Sequence, residues 1–317
     1  MSHNGPVRSV PVTYLAPAKV NLTLRVVGRR SDGYHLLESW MVFFPLYDRL
    51  TVTVTDGELG LLCDPAVTGA PEENLVWRAA RLLKEHCAVS LGARLELCKR
   101  IPHGAGLGGG SSDAALTLLA LNRHWGLHLN LETLIGLGVG LGADIPFFLR
   151  GCAALVEGIG ERLTPLEAPL AGELVLLFPG AGLATRRVFQ GLAGRYPTRA
   201  AGLGMPPVGA DLSELLENDL ELVALEFAPV IGEALAVLRG AGARATLMSG
   251  SGSTVFGVFP DAVAAEAAVE QVGAAHPEWR LFAGGILNVH PFHAGDDWES
   301  HSCRGTGTGK VPGSVWD

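Results

Sequence analysis

The chain has 317 residues, 48% hydrophobic and 18% charged, which suits a globular protein with material for two cores and excludes a disordered or fibrous one. A formal net charge of −8 argues against a nucleic-acid surface, though not against a local basic pocket for phosphates. Five cysteines (Cys63, Cys87, Cys98, Cys152, Cys303) are odd in number, widely spaced and free of C-x-x-C, so they read as reduced thiols of a cytoplasmic protein.

The start, Met1 to Pro6, carries no apolar leader core. Val10 to Val27 reads as strand, with Leu22, Leu24 and Val26 alternating with Thr23 and Arg25. Leu50 to Val54 alternates likewise and ends in a turn at Asp56-Gly57. Asn74 caps a helix over Leu75–His86 that sets Leu75, Ala79, Leu82 and Leu83 on one face. A strand over 93–99 leads into a glycine-rich loop, then a helix to about Trp125 and a short helix over Leu131–Leu141. The most apolar stretch, Leu134 to Leu149, is broken by Asp144 and Pro146 and is too short to cross a bilayer, so no membrane partner is expected. Ala153–Val156 returns as a strand.

A second half begins near Pro165. Glu173–Phe178 reads as a buried strand ended by Pro179-Gly180. Helices are predicted over 211–226, opened by Asp211, and over 229–239, closed by Gly240-Ala241-Gly242. Thr254–Phe259 is a strand, Asp261–Ala275 an alanine-rich helix and Trp279–Phe282 a strand. Ala294 to Asp317 lacks periodicity and reads as a disordered tail. Strands and helices mix without βαβ repetition, which predicts an α+β fold with domains over 1–164 and 165–293.

The segment Pro102-His103-Gly104-Ala105-Gly106-Leu107-Gly108-Gly109-Gly110-Ser111-Ser112 carries the strongest chemical signal. A glycine ribbon ahead of a helix lets backbone approach a ligand closely and presents unpaired N–H groups at the positive end of a helix dipole, an arrangement that attracts phosphate. No Gly-Lys-Ser/Thr ends the ribbon, so it is not a P-loop. Gly104, Gly106 and Gly109 satisfy G-x-G-x-x-G, but the residues about 20 further on, Gly126 to Asn130, contain no acid, which excludes a dinucleotide fold.

Three other segments carry polar groups in apolar settings. Lys19 and Asn21 in Pro17-Ala18-Lys19-Val20-Asn21 share one face of a strand, as a surface pair or as part of a site. Asp144 lies within Gly142-Ala143-Asp144-Ile145-Pro146-Phe147-Phe148; it is either a helix cap or a carboxylate able to take a proton from a hydroxyl beside a lysine. Ser249, Gly250, Ser251 and Gly252 form a small-residue turn before a strand, by itself a hairpin loop. His290 and His293 are separated by Pro291 and followed by no carboxylate pattern, so no protein-only metal site is assigned.

Pro102 to Gly108 with Ser111-Ser112 resembles the ATP loop of the GHMP kinases, and the Met248–Ser253 turn resembles their third motif. Pro17 to Leu22, Arg30-Ser31-Asp32-Gly33-Tyr34-His35-x-Leu37 and Gly142 to Phe148 are similar to the branch acting on a cytidine-diphosphate-linked methylerythritol. The resemblance runs in family order from about Tyr14 to His290. It implies a two-domain GHMP-kinase-like fold. One half would be like ribosomal protein S5 domain 2 and the other ferredoxin-like, with the active site between them.

The implied reaction passes the ATP γ-phosphoryl to the substrate's 2-hydroxyl, in the non-mevalonate route to isoprenoid precursors. By that resemblance Asp144 is the base and Lys19 the neighbouring cation. Residues 102–112 would hold ATP, with Mg²⁺ bound mainly by phosphate oxygens and water and Ser111 or Ser112 close to it. Tyr34 and Phe189 would stack on cytosine, His35 would read its edge, and Asn21 and Thr185 would be polar contacts to substrate. No role is assigned to Asp113 or Thr254. Oligomeric state, monomer or homodimer, stays open. Competing expectations are a mevalonate- or homoserine-type kinase, against which Tyr34-His35 speaks, and a catalytically silent nucleotide-binding regulator, which loss of Lys19 or Asp144 would have favoured.

Overall fold

The computed structural model describes residues 9–192 and 201–294. Its first half contains β1 (Val12–Arg29), β2 (His35–Asp56), β3 (Leu59–Asp64), α1 (Leu75–His86), β4 (Leu91–Cys98) and α2 (Gly109–His124). It continues through α3 (Leu131–Val139), α4 (Ile145–Arg150), β5 (Ala154–Gly158) and β6 (Arg162–Pro165). The second half contains β7 (Glu173–Phe178), α5 (Thr185–Gly191), β8 (Glu217–Asn218), α6 (Glu221–Phe227) and α7 (Val230–Gly240). It closes with β9 (Ala245–Met248), β10 (Val255–Phe259), α8 (Ala262–Ala275) and β11 (Arg280–Gly285).

Two sheets result. The first runs β3-β4-β2-β1-β8, with β5 pairing β2 and β6. The second runs β11-β7-β10-β9, and every pairing in it is antiparallel. Its chain order, β7, then α6 and α7, then β9 and β10, then α8, then β11, is the split βαββαβ of ferredoxin-like folds. The α+β expectation therefore holds for both halves.

Alternation along β1 decides what each face meets. Ala18, Val20 and Leu22, with Val42 and Phe44 of β2, pack against Leu174, Leu176, Phe256 and Val258 of the second sheet. The opposite face, with Met41 and Phe43, packs under α1, α2 and α4. Lys19 and Asn21 belong to this helix-side face because Lys19 pairs in register with Phe43 and Asn21 with Met41. A third core joins the far face of the second sheet to α6, α7 and α8. The layers are thus helices, sheet, sheet, helices, and residues 286–289 return to the first sheet through bridges at Phe43 and Cys152.

Local differences from the sequence reading have physical causes. The helix expected over 211–226 is instead a 3₁₀ turn at Leu212–Glu214, the short strand β8 and the helix α6. Parallel pairing of Asn218 with Leu24 overrides the apolar spacing there. The helix after the glycine loop starts at Gly109 and not near Ser111, because Gly108 takes the left-handed conformation (φ +69°) at its N-cap. Strand β2 begins well before Leu50, at His35, and ends two residues after Val54, at Asp56. Of the proposed tail only Ala294 lies within the described residues.

Candidate active site

The glycine ribbon is stitched to the elements around it. Lys19 N–H donates to the Leu107 carbonyl (2.9 Å), Thr254 N–H to the Ala105 carbonyl (3.2 Å) and Leu183 N–H to the Gly104 carbonyl (3.3 Å). Ala105 and Leu107 point down into the core between the sheets. Gly106 has φ +77°, and a Cβ there would stand 2.4 Å from the Ser249 carbonyl oxygen, so only glycine fits. The ribbon and the Ser249–Gly252 turn therefore interlock, aided by the Ser249 hydroxyl, which donates to the Gly106 carbonyl (3.4 Å) and accepts from Asn21 N–H (3.2 Å). Ser112 N–H closes the first helical bond onto the Gly108 carbonyl (2.9 Å), which leaves the amides of Gly109 to Ser111 as the free first-turn donors of α2.

Directly beneath lies Lys19, whose Nζ stands 3.8 Å from Asp144 Oδ2. Lys19 is 5% exposed. Burial pushes its ammonium below the ordinary lysine range, and the Asp144 carboxylate opposes that shift. Asp144 occupies the N-cap position of α4, where Pro146 suits a helix start, yet its side chain makes no capping bond. With 37% of its side chain exposed, it faces both the lysine and solvent, as a group that must meet a ligand would. The Ser111 hydroxyl lies on the same side: a Cβ at Gly142 would be 3.5 Å from it.

The expected substrate residues divide into two groups. His35 and Phe189 come together as a stacked pair, centroids 5.3 Å apart and planes at 26°, although they lie on β2 and α5. Burial, followed by the charge of Arg29, holds the His35 imidazole below its ordinary range. Tyr34, beside His35 in the chain, is 61% exposed, and the Thr185 hydroxyl hydrogen-bonds the Ser251 hydroxyl of the third motif at 2.9 Å. Asn21 is different. Expected as a substrate contact, it is buried, and its amide is engaged at both ends: Oδ1 accepts from Lys19 and Nδ2 donates to the Ser39 hydroxyl (2.7 Å).

Several supporting residues escaped the sequence reading. Asp48 accepts from the backbone N–H groups of Arg100 and Ile101, just before the ribbon, and from Lys99. Lys99 also donates to Asp113 (2.7 Å), so a cation and two carboxylates are buried under the start of α2. A signal existed: Lys99 continues the inward parity of the buried Leu95 and Leu97, where a charge requires a partner. Asn218 donates to the carbonyls of Met248 (2.7 Å) and Gly250 (2.8 Å), fixing the third motif. Nothing in local spacing points to that bond. Among the described residues no group of three or more His, Cys, Asp or Glu could hold a metal ion. His290 is fully buried and kept neutral by that burial, in keeping with a structural role.

Comparison with known proteins agrees with this geometry. Residues 74–152 match the N-terminal domain of the GHMP kinases and residues 204–278 their C-terminal domain. The 4-diphosphocytidyl-2-C-methyl-D-erythritol kinase of Syntrophotalea carbinolica is 42% identical over 275 residues, covering 86% of this chain and 97% of that protein. Its counterpart from Geobacter sp. (strain M21) is 44% identical over 263 residues, covering 81% and 93%. A crystal structure of 4-(cytidine 5'-diphospho)-2C-methyl-D-erythritol kinase superimposes with a TM-score of 0.75 at 39% identity, over 87% of this chain and 99% of that one. Mevalonate kinase of L. major, at 16% identity and a TM-score of 0.67, shares the fold. With its ribbon, third motif and buried lysine in place, and with relatives this similar matched over nearly their whole length, the chain belongs to the GHMP kinases, in the family of 4-diphosphocytidyl-2-C-methyl-D-erythritol kinases.

Proposed function

We propose that this chain transfers the γ-phosphoryl of ATP to the 2-hydroxyl of 4-diphosphocytidyl-2-C-methyl-D-erythritol. The observation that carries the chemistry is the meeting of Lys19 and Asp144 at 3.8 Å under the glycine ribbon, brought there by β1 and the start of α4. Asp144 accepts the hydroxyl proton. Lys19 offsets the charge that gathers on the phosphoryl oxygens and holds the nucleophile's surroundings fixed. Phosphoryl transfer passes through a loose transition state, so positioning and charge stabilisation contribute more than proton removal.

The amides of Gly109, Gly110 and Ser111 bind the nucleotide phosphates, and the positive end of α2 favours their charge. Mg²⁺ fits this site as an ion held mainly by phosphate oxygens and water, with a serine hydroxyl available: Ser112 Oγ is buried without a protein partner, and Ser111 Oγ lies towards the Asp144 turn. When bound, the ion neutralises phosphate charge. Tyr34 and Phe189 clamp the cytosine, His35 reads its edge, and Thr185, at the start of α5 beside the third motif, approaches the substrate.

Purified protein should consume ATP with the cytidyl substrate and not with mevalonate or homoserine, measured side by side by ADP release. Turnover of mevalonate or homoserine in preference would overturn the substrate assignment. ATP binding without turnover of any of the three would overturn the kinase reading itself.

A further inference from the structure

Resting on the kinase reading above, we propose that Ser39 is a positioning residue, which orients the Asn21 amide and through it aims the Lys19 ammonium at Asp144. Four polar groups form one buried chain across β1 and β2. The Ser39 hydroxyl donates to the Thr23 carbonyl (2.5 Å), Asn21 Nδ2 donates to Ser39 Oγ (2.7 Å), and Lys19 Nζ donates to Asn21 Oδ1. Lys19, Asn21, Thr23 and Ser39 are all buried.

The direction of the chain follows from its two ends. A carbonyl only accepts, so the single Ser39 proton is committed to Thr23 and its oxygen is left to accept. An accepting oxygen requires the NH₂ side of Asn21, and that orientation turns Oδ1 towards Lys19. An ammonium only donates, so both ends demand the same amide orientation. Without the Ser39 hydroxyl one end of that demand is gone. The amide can then rotate and present NH₂ to the ammonium, a donor facing a donor. Lys19 would keep its ion pair with Asp144 but lose the acceptor that sets its angle.

The β1–β2 register shifts between Asn21, opposite Met41, and Thr23, opposite Trp40, which leaves one extra residue on β1 at this point. Ser39, two residues before Met41 on β2, hydrogen-bonds both Asn21 and Thr23 there. Asn21 N–H is held separately by Ser249, so the backbone at this position stays anchored when the side chain is released.

The test is steady-state kinetics of Ser39→Ala and Ser39→Thr beside wild type, using ATP and the cytidyl substrate. Ser39→Ala should lower kcat by about 10- to 100-fold, the range of a lost supporting hydrogen bond to a site group, with the KM for ATP within about twofold of wild type. Ser39→Thr retains the hydroxyl and should restore most of the rate. An unchanged kcat in Ser39→Ala overturns the proposal. So does a loss of rate equal in the alanine and threonine variants, because that marks a packing role. If Ser39→Ala does not fold, Ser39→Cys carries the same expectations, as sulfur is a poor acceptor for the amide. Wild type is assayed first: failure of wild type with the cytidyl substrate strikes the kinase reading, whereas active wild type with an equally active Ser39→Ala strikes only the relay.

Discussion

At the scale of single residues, the site is a set of charges held where they would not otherwise stay. Asp144 is the group with no structural duty in view, since it caps nothing and keeps much of its surface open. Asp144→Ala should therefore lower kcat by about 10²–10⁴-fold while ATP affinity stays near wild type, as kinetics and ATP titration will report. A wild-type kcat would remove it from the chemistry. Asp113 is the opposite case, a structural group. Burial pushes its carboxyl up to about 7 against the pull of Lys99, with Asp48 adding to the rise. A carboxyl with a raised value in the fold holds its proton more tightly there than in the unfolded chain. Stability from this group is thus fully present at acid pH and is lost as pH rises towards 7. Asp113→Asn, which cannot ionise, should lose roughly 1–2 kcal/mol less than wild type between pH 5.5 and 8 in urea unfolding. Equal pH dependence in the two proteins would exclude this account. The parity of Lys19 and Asn21 was legible in the sequence because a strand period of two puts them on one face. The pairing of Lys19 with Asp144 rested on family resemblance, and Ser39, Asp48 and Asn218 were hidden. Their partners lie far away in the chain, and no local pattern records such distances.

At the scale of elements, the informative junctions are those where two loops occupy one volume. Gly106 and the Ser249–Gly252 turn fit only because a Cβ is missing between them. Gly106→Ala meets both a positive φ and a backbone carbonyl that cannot swing aside. It should cost about 1–3 kcal/mol of stability and raise the KM for ATP, visible as a lower Tm and weaker nucleotide binding. A wild-type Tm would show the ribbon to be looser than its packing implies. The start of α1 was readable because its cap, Asn74, is local chemistry. The stretch 211–226 was misread because Leu212, Leu215, Leu216, Leu220 and Val223 mimic helical spacing. Its Asn218 is instead spent on the Met248 and Gly250 carbonyls, and that demand is tertiary.

At the scale of the whole molecule, the two halves share a core, since the inner faces of both sheets meet through Phe44, Leu174, Leu176 and Phe256. The α+β class and the two halves were visible from element order; the face-to-face contact of the sheets was not, because every apolar strand face looks alike until its partner is known. Phe256 is fully buried in that contact. Phe256→Ala should cost about 3–5 kcal/mol, and hydrogen exchange should show the amides of β2 and β10 losing protection together. Loss of protection confined to β10 would mean that the halves unfold independently. The seating of Ala105 and Leu107 in this shared core has its own consequence. The underside of the glycine ribbon is rooted in the same interior that welds the halves, so its shape is set by the fold itself. On the function proposed above, ATP meets a surface already cast, and little ordering of the ribbon is left for binding to accomplish.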